Sequence, residues 1–428
     1  MACLRELEKT QYYDRQQLLV LQSEKLRHFI SCAYDNVPYY RKLFDDSMIK
    51  PEDISVPADL AKIPFLAKSD IRVNLSSLMS GKSGKLQKFN TGGSTGEPMI
   101  FYIGKKRVSY DVAAKLRATR WWGVDIGDPE IVIWGSSIEL SKQDRVRQFR
   151  DWIFQTRLLS AFDMTEERMV EYLRTIREMR PAHLFGYPSS ISILAKYARD
   201  NNLRLDDLGV KVVFCTAEKL YEHQKDLISE TFNAPVANGY GGRDAGFIAH
   251  ECPEGKKMHI TSENIIVEII DSGGKQLQPG QSGEIVITHL ETDDFPFIRY
   301  RTGDIGKISN DPCSCGRGLP VLEDIEGRTT DFIVTPEGKI MHGLALIYVL
   351  REVPGVEEFK IIQKRQDCII VLIVKNHNFK MESESLIING LQKRLGENVN
   401  IELKYVSEIQ SEKSGKFRYV VSEVQPSI

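Results

Sequence analysis

Ala182-His-Leu-Phe-Gly-Tyr-Pro188 joins a short apolar strand to the first turn of a helix. Pro188 lies where a proline is tolerated, because the N–H that it lacks would have no partner in the first helical turn. The same alternation continues on both sides of this stretch. We predict further strands at 130–134, 211–215 and 235–238, and helices at 165–178, with Thr165 as the N-cap, and at 219–232.

Strands that alternate with helices predict the α/β class, with a mainly parallel sheet that helices flank on both faces. Before this region we predict one helix over 5–33, which Asn36-Val-Pro38 interrupts. After residue 260 the strands at 264–270 and 284–288 predict a β-rich subdomain. From Asp331 onward, a hairpin (332–334 and 339–341), helices at 344–352 and 382–396, and strands at 356–364, 367–375 and 400–406 predict a small α+β domain.

Composition describes an ordinary globular protein, which at 428 residues should form about two to three domains. A net charge of −2 argues against a nucleic-acid-binding surface. The sequence has no apolar run of about 18 residues that could span a membrane, and its first residues lack the apolar stretch of a signal peptide, so we expect a cytoplasmic protein. The seven cysteines are an odd number, which argues against a disulfide framework.

The run Asn90-Thr-Gly-Gly-Ser-Thr-Gly-Glu-Pro98 lies between two predicted strands, at 85–89 and 99–103. Its glycines and hydroxyls suit either a phosphate-binding loop or a plain polar turn. It is not a Walker A loop, which requires a lysine and then a helix after its last glycine.

Three cysteines and one histidine form a second candidate site. Cys252 and His259 are seven residues apart, and Cys313 and Cys315 flank one serine. Thiolates with one imidazole predict a closed, structural zinc site, with His250 as the alternative fourth ligand. The other interpretation is that these are buried free cysteines.

Six motifs follow one another along the chain. They are Thr91-Gly-Gly-Ser-Thr-Gly-Glu-Pro98, Ala217-Glu-Lys219, Asn238-Gly-Tyr-Gly-Gly-Arg-Asp244, Tyr300-Arg-Thr-Gly-Asp304, Glu326-Gly-Arg-Thr-Thr-Asp331 and Lys413-Ser-Gly-Lys-Phe-Arg418. In this order they resemble the motifs of the adenylate-forming superfamily. Within it, the chain is most similar to the phenylacetate–coenzyme A ligase family and its CapK-type capsular-polysaccharide relatives, of which Asn36-Val-Pro-Tyr-Tyr-Arg-Lys-Leu-Phe44 is also typical.

The resemblance implies a two-step activation of a small organic or aryl acid. Its carboxylate attacks the α-phosphate of ATP and releases pyrophosphate, and a thiol, usually coenzyme A, then takes the acyl group from the acyl-adenylate. The resemblance assigns the β- and γ-phosphates to Ser94, Thr95 and Gly96, and the ribose hydroxyls to Asp304. It assigns the adenine to Tyr240 with Ala217, Glu218 and Gly241, and the ribose or a phosphate to Arg328.

The resemblance further implies that Lys416 delivers the catalytic positive charge from a mobile C-terminal domain that swings about Asp331. It makes 1–330 the domain that holds the nucleotide, acid and zinc sites, and 331–428 the lid. Asp244 would bind Mg²⁺, although the wider family has Ser or Thr and then Glu where this chain has Arg243-Asp244. Arg243 could instead contact the substrate carboxylate or a phosphate.

Three hypotheses about the function of this protein stay open. The first is an AMP-forming acid–coenzyme A ligase, for which the family implies a homodimer. The second is a CapK-type adenylating enzyme with an acceptor other than coenzyme A. The third is a nucleotide-binding homologue without turnover, which the Arg243-Asp244 departure favours and the presence of Lys416 and Asp304 opposes.

Overall fold

The structure is a computed structural model, and it describes residues 1–90, 99–134, 151, 154–161, 164–255, 257–309, 311–328, 332–336, 340–342, 344–410 and 418–424. The chain divides into two compact units. The first consists of Met1–Thr302 and Gly306–Ile325, and the second of Gly303–Ile305 and Glu326–Ile428. The functional division into 1–330 and 331–428 stays a prediction.

The N-terminal segment forms two helices, so the prediction of a single helix over 5–33 was wrong. The break is local, because the Asp14 side chain accepts a hydrogen bond from the Gln17 backbone while the Gln17 side chain accepts one from the Asp14 backbone. This reciprocal capping box starts a new helix inside a continuous apolar pattern. The helices here are α1 (Ala2–Thr10), α2 (Arg15–Asn36), α3 (Pro38–Asp46) and α4 (Lys68–Val73), with 3₁₀ turns at Pro51–Asp53 and Pro57–Lys62.

A short antiparallel hairpin carries the glycine-rich run. Asn90 pairs with Ile100, so the run connects two paired strands, as the sequence predicts, although residues 91–98 themselves lie outside the described part of the chain. The second strand leads within two residues into a long helix. These elements are β1 (Gln87–Asn90), β2 (Ile100–Ile103) and α5 (Lys105–Trp121).

The parallel part of the main sheet follows the predicted alternation. Thr165 caps its helix by accepting a hydrogen bond from the Arg168 backbone, and Pro188 occupies the first turn of the next helix, so both predictions are confirmed. Four strand pairs here are parallel. The elements are β3 (Glu130–Ile133), β4 (Thr156–Leu159), α6 (Glu166–Met179), β5 (His183–Gly186), α7 (Pro188–Asp200), β6 (Val212–Thr216), α8 (Glu222–Phe232) and β7 (Val236–Gly242).

The β-rich region continues this sheet. Strand β7 runs on to Gly242, four residues past its predicted end, and folds back as an antiparallel hairpin. The added strands are β8 (Gly246–Glu251), β9 (Met258–Ile260), β10 (Ile265–Ile270), β11 (Ser282–His289), β12 (Tyr300–Ile308) and β13 (Val321–Arg328). The eleven strands follow the order β10-β11-β12-β13-β9-β8-β7-β6-β5-β3-β4. The large mixed sheet with flanking helices confirms the α/β class.

The second unit is the predicted α+β domain, with a hairpin beside a four-stranded sheet. Its elements are β14 (Phe332–Val334), β15 (Ile340–His342), α9 (Leu344–Arg351), β16 (Val356–Arg365), β17 (Cys368–Lys375), α10 (Met381–Leu395), β18 (Asn400–Tyr405) and β19 (Val420–Ser422). The four strands of the sheet follow the order β18-β17-β16-β19. Among the described residues, no helix is both long and apolar enough to cross a membrane.

A buried glutamine fastens the hairpin of this unit to its sheet. The Gln363 amide donates to the Val334 carbonyl (2.7 Å) and accepts from the Val334 N–H (3.0 Å) and the Ser422 hydroxyl (2.8 Å). Gln363 is fully buried, so its amide takes the place of a neighbouring strand at β14.

We expect Gln363→Leu to lower the free energy of unfolding of the second unit by about 3 kcal/mol, because both backbone groups of Val334 lose a buried partner. Hydrogen exchange at β14 and β16 should accelerate accordingly. Gln410→Leu, at an exposed glutamine, is the matched control. Equal exchange rates in the two variants would contradict this role for Gln363.

Candidate active site and metal centre

The carboxyl ends of the parallel strands meet at one edge of the sheet. Ile133 pairs with Gly186, Gly186 with Cys215, and Cys215 with Asn238. The residues that follow these positions therefore share that edge, which is where open α/β sheets bind ligands. The predicted adenine-lining residues Ala217, Glu218 and Tyr240 are among them.

Ala217 has an unusual backbone conformation. Its φ of 67° lies in the left-handed region, which residues other than glycine adopt rarely and often at functional sites. The next residue, Glu218, accepts a hydrogen bond from the Ser189 backbone (3.2 Å) and so caps the N-terminal turn of α7. The chain between β6 and α8 is thereby held against the start of α7. No local signal in the sequence predicted the left-handed conformation.

Two aromatic rings stack at the same edge. Trp134, after β3, stacks on Tyr187, after β5, with ring centroids 4.3 Å apart and ring planes at an angle of 25°. Tyr187 is buried and Trp134 is half-buried. The two rings therefore belong to segments that begin at adjacent strand ends.

The hairpin between β7 and β8 presents Arg243 and Asp244 at its tip. Its register shifts between Tyr240 and Gly241, and Arg243 is exposed whereas Asp244 is half-buried. The hydroxyl of Tyr300, which is fully buried, donates to Asp244 Oδ2 at 2.6 Å. This contact fixes one carboxylate oxygen in orientation. Tyr300 is the first residue of the motif Tyr300-Arg-Thr-Gly-Asp304, but the sequence analysis did not predict its contact with Asp244.

The other candidate residues are less fully described. Asp304 lies half-buried on β12, in the second unit, and Arg328 ends β13. Ser94, Thr95, Gly96, the hinge residue Asp331 and the catalytic candidate Lys416 lie outside the described residues. Their roles stay predictions from the motifs.

The predicted zinc ligands converge. The ligand atoms of Cys252, His259, Cys313 and Cys315 all lie within 4.8 Å of one another. The Sγ atoms of Cys252 and Cys313 are 3.5 Å apart, and Cys315 Sγ is 3.2 Å from His259 Nε2. Tetrahedral zinc with Zn–S bonds of about 2.3 Å separates its sulfur ligands by about 3.8 Å, so the donor set and its size fit this ion.

The surroundings of the cluster support metal ligation. His259 Nδ1 faces the Leu319 carbonyl at 3.4 Å, which leaves Nε2 for a metal. Burial lowers the pKa of His259 to about 4, so the ring is neutral, and burial raises the pKa of the Cys252 thiol to about 12. A buried cation would provide the charge that thiolates need here. A side chain at Gly255 would collide with Cys313 Sγ, since its Cβ would lie 2.1 Å away.

His250 is not part of this cluster. It pairs with His259 across β8 and β9, and its ring stacks on Phe247 with centroids 5.2 Å apart. Burial lowers its pKa to about 3. Among the described residues the converging set contains His259 and does not contain His250.

Comparison with known proteins finds one matching family model and several similar proteins. A family model described as the CapK C-terminal domain matches residues 333–423. Protein CapK of Staphylococcus aureus is 28% identical over 416 residues, which cover 95% of this chain and 90% of the relative. Phenylacetate–coenzyme A ligase of Thermus thermophilus is 24% identical over 359 residues, covering 82% and 79%.

The fold is shared with a solved structure, 2-hydroxyisobutyryl-CoA ligase in the postadenylation state in complex with R3-HIB-AMP. The TM-score is 0.75 at 20% identity, and the match covers 94% of this chain and 89% of that chain.

Proposed function

Since the chain is a homologue of CapK and of phenylacetate–coenzyme A ligases and has the fold of adenylate-forming coenzyme A ligases, we propose that it is an ATP-dependent, AMP-forming acid–thiol ligase. A carboxylic acid attacks the α-phosphate of ATP, pyrophosphate leaves, and a thiol then takes the acyl group from the acyl-adenylate and releases AMP. Coenzyme A is the proposed thiol, and an aryl or small organic acid is the proposed substrate.

The edge of the sheet is the observation that carries the proposal. It brings the left-handed turn at Ala217, the Tyr240 ring and the hairpin tip with Asp244 to the carboxyl ends of adjacent strands. A nucleotide bound there would meet a backbone turn, an aromatic ring and an acidic side chain. The backbone turn suits the edge of a purine, and the aromatic ring suits its stacking face. The acidic side chain suits the cation that accompanies a polyphosphate.

Catalysis on this scaffold requires alignment and positive charge, because the acid and the triphosphate are both anions. We assign the grip on the β- and γ-phosphates to Ser94, Thr95 and Gly96. Lys416 balances the charge that develops between the acid and the α-phosphate. We assign the ribose to Asp304, with Arg328 as a further contact to the ribose or a phosphate.

The metal assignments rest on the donor chemistry. The Asp244 carboxylate, oriented by Tyr300, offers the oxygen ligands that Mg²⁺ prefers, and the ion would neutralise charge on the phosphates. Arg243 lies beside it, and we assign to Arg243 a contact with a phosphate or with the substrate carboxylate. Zinc in the Cys252–His259–Cys313–Cys315 cluster would have four protein ligands and no open position, so we assign it a structural role.

A second candidate is supported by the relatives themselves. The C-terminal segment matches a CapK domain, and the CapK relative covers more of the chain than the phenylacetate–coenzyme A ligase does. In this candidate the first step is the same, but an acceptor other than coenzyme A takes the acyl or adenylyl group. The homodimer and the cytoplasmic location stay predictions.

We expect purified protein with Mg·ATP to release pyrophosphate in the presence of at least one acid from a panel of aryl and short aliphatic carboxylic acids. Mass spectrometry after addition of coenzyme A distinguishes the two candidates, since an acyl-coenzyme A supports the first and an adenylate that persists supports the second. Asp244→Ala is the control for contaminating ligases. Absence of release with every acid would instead favour the reading as a nucleotide-binding homologue without turnover.

A further inference from the structure

The hairpin tip that carries Asp244 is held from beneath by a buried arginine. Arg107, in the first turn of α5, is 1% exposed, and its Nη2 donates to the carbonyl of Arg243 at 2.7 Å. The two residues are 136 positions apart in the chain. The carbonyl belongs to the peptide that joins Arg243 to Asp244, so this hydrogen bond orients the plane from which the Asp244 side chain departs.

The charge of Arg107 is incompletely compensated. Its Nε lies 3.4 Å from Asp111 Oδ2, and its guanidinium lies 5.6 Å from the ring centroid of Phe297. Its Nη1 has no hydrogen-bond partner within the described part of the chain. A buried cation with one long ion pair contributes little to stability, because desolvation offsets the attraction. The shortest contact of Arg107 goes to the turn, which indicates a role in the geometry of the turn.

The far side of the turn is held from the same helix. Asp111 Oδ1 lies 3.5 Å from the Phe247 N–H and 3.7 Å from His289 Nε2, and His289 is buried. Gly246 has a φ of 83°, and a Cβ there would lie 2.9 Å from both Asp111 Oδ1 and His289 Nε2. The close packing at Gly246 therefore prevents the turn from moving closer to α5. The hydrogen bond from Arg107 restrains the turn from moving away from α5.

We propose that Arg107 is a positioning residue, which fixes the Arg243–Asp244 peptide so that the Asp244 carboxylate meets the Mg²⁺ of bound Mg·ATP. This inference rests on the proposed function for its ligand. Tyr300 orients the carboxylate from one side and Arg107 orients its backbone. Helix α5 also follows the hairpin of the glycine-rich run within two residues of β2, so one helix links the predicted phosphate loop to the turn that carries the metal carboxylate.

A second buried arginine on the same helix gives the matched control. Arg117 is 2% exposed and contacts Glu263, whose side chain is fully buried, and the carbonyl of Leu7 (3.2 Å). Its removal leaves a buried carboxylate without its cation, so Arg117→Met should destabilise the protein at least as much as Arg107→Met. The two variants separate loss of stability from loss of turn geometry.

The experiment has two readouts on the full-length protein. Hydrogen exchange is measured over residues 242–247, and dissociation constants are measured by calorimetry for ATP with Mg²⁺ and for ATP with EDTA. We expect Arg107→Met to accelerate exchange in the turn and to weaken Mg·ATP binding about tenfold, the ratio for one lost charged hydrogen bond, without weakening metal-free ATP. Arg107→Lys, which keeps the charge and a donor, should restore part of the effect, and Arg117→Met should show neither change.

A double-mutant cycle with Asp244→Asn tests the route of the effect. If Arg107 acts through Asp244, Arg107→Met should add little to the loss of Mg·ATP binding that Asp244→Asn already causes. Additive losses would overturn the proposal, and so would exchange over 242–247 that is equal in Arg107→Met and Arg117→Met. The hydrogen-exchange measurement requires neither an acid substrate nor turnover. The proposal for Arg107 can therefore fail while the ligase function stands, and the ligase function can fail while the proposal for Arg107 stands.

Discussion

Replacing Lys416 by alanine is expected to lower acid-dependent ATP–pyrophosphate exchange by about three orders of magnitude, the loss typical when a charge-stabilising group is removed from a transition state. Lys416, in the glycine-containing segment Lys413-Ser-Gly-Lys-Phe-Arg418, is the cation that we propose acts at the reacting α-phosphate. An acid and a triphosphate repel each other, and that repulsion is greatest when the new bond forms.

Thioester formation from a supplied acyl-adenylate should change far less in this variant, because the proposed second step uses a different placement of the C-terminal domain. The ratio of the two half-reactions is therefore the measurement. Lys413→Ala removes the same charge three residues earlier and should leave exchange near the wild-type value. Wild-type-like exchange in Lys416→Ala, or equal losses in both half-reactions, would contradict the assignment.

Loss of the zinc ion that we propose for the Cys252–His259–Cys313–Cys315 cluster is expected to be the most destabilising change in the first unit. We expect about one zinc ion per chain in freshly purified protein. Cys313→Ser should lower the melting temperature by more than about 10 °C, which at about 2 °C per kcal/mol corresponds to roughly 5 kcal/mol.

The reason is the number of elements that meet at the cluster. Its candidate ligands come from the residue after β8, from β9 and from the segment between β12 and β13, and the Trp121 ring packs edge-to-face with the ring of His259. Trp121 Nε1 donates to the Gln11 side chain (2.8 Å), which extends the connection to the end of α1. The measurements are zinc content by atomic emission and thermal unfolding. Cys32→Ser, outside the cluster, is the control, and equal melting temperatures for the two variants would rule out a structural metal.

The motifs and the alternation of elements predicted much of this protein correctly. The resemblance to CapK and phenylacetate–coenzyme A ligases is confirmed by the relatives, and the strands at 130–134, 211–215 and 356–364 are present within two residues of their predicted ends. These elements are local, since apolar runs, an N-cap at Thr165 and a first-turn proline at Pro188 act within one or two helical turns. The sequence also singled out Cys252, His259, Cys313 and Cys315, which converge in the structure, because closely spaced thiols beside turn residues are typical of metal sites.

Other features depended on contacts between distant parts of the chain. The break between α1 and α2 was missed because an unbroken apolar pattern outweighed a short capping box at Asp14 and Gln17. The union of the parallel and antiparallel strands in one sheet follows from how β7 turns back at Gly242. The order of strands in a sheet depends on which strands pair with each other. Hydrophobic periodicity shows which face of a strand is buried, but it does not identify the neighbouring strand.

Residue types and their spacing were therefore sufficient to predict the α/β class, the resemblance to CapK and phenylacetate–coenzyme A ligases, and the set of cysteines and histidine that converge, because short stretches of sequence carry the signal for each of these. Only the folded chain showed that Tyr300 holds the Asp244 carboxylate, that Arg107 holds the peptide before it, and that His259 rather than His250 joins the cysteines. These contacts join positions as many as 136 residues apart. A hydrogen bond is decided by distance and angle in space, and packing of the whole sheet sets both.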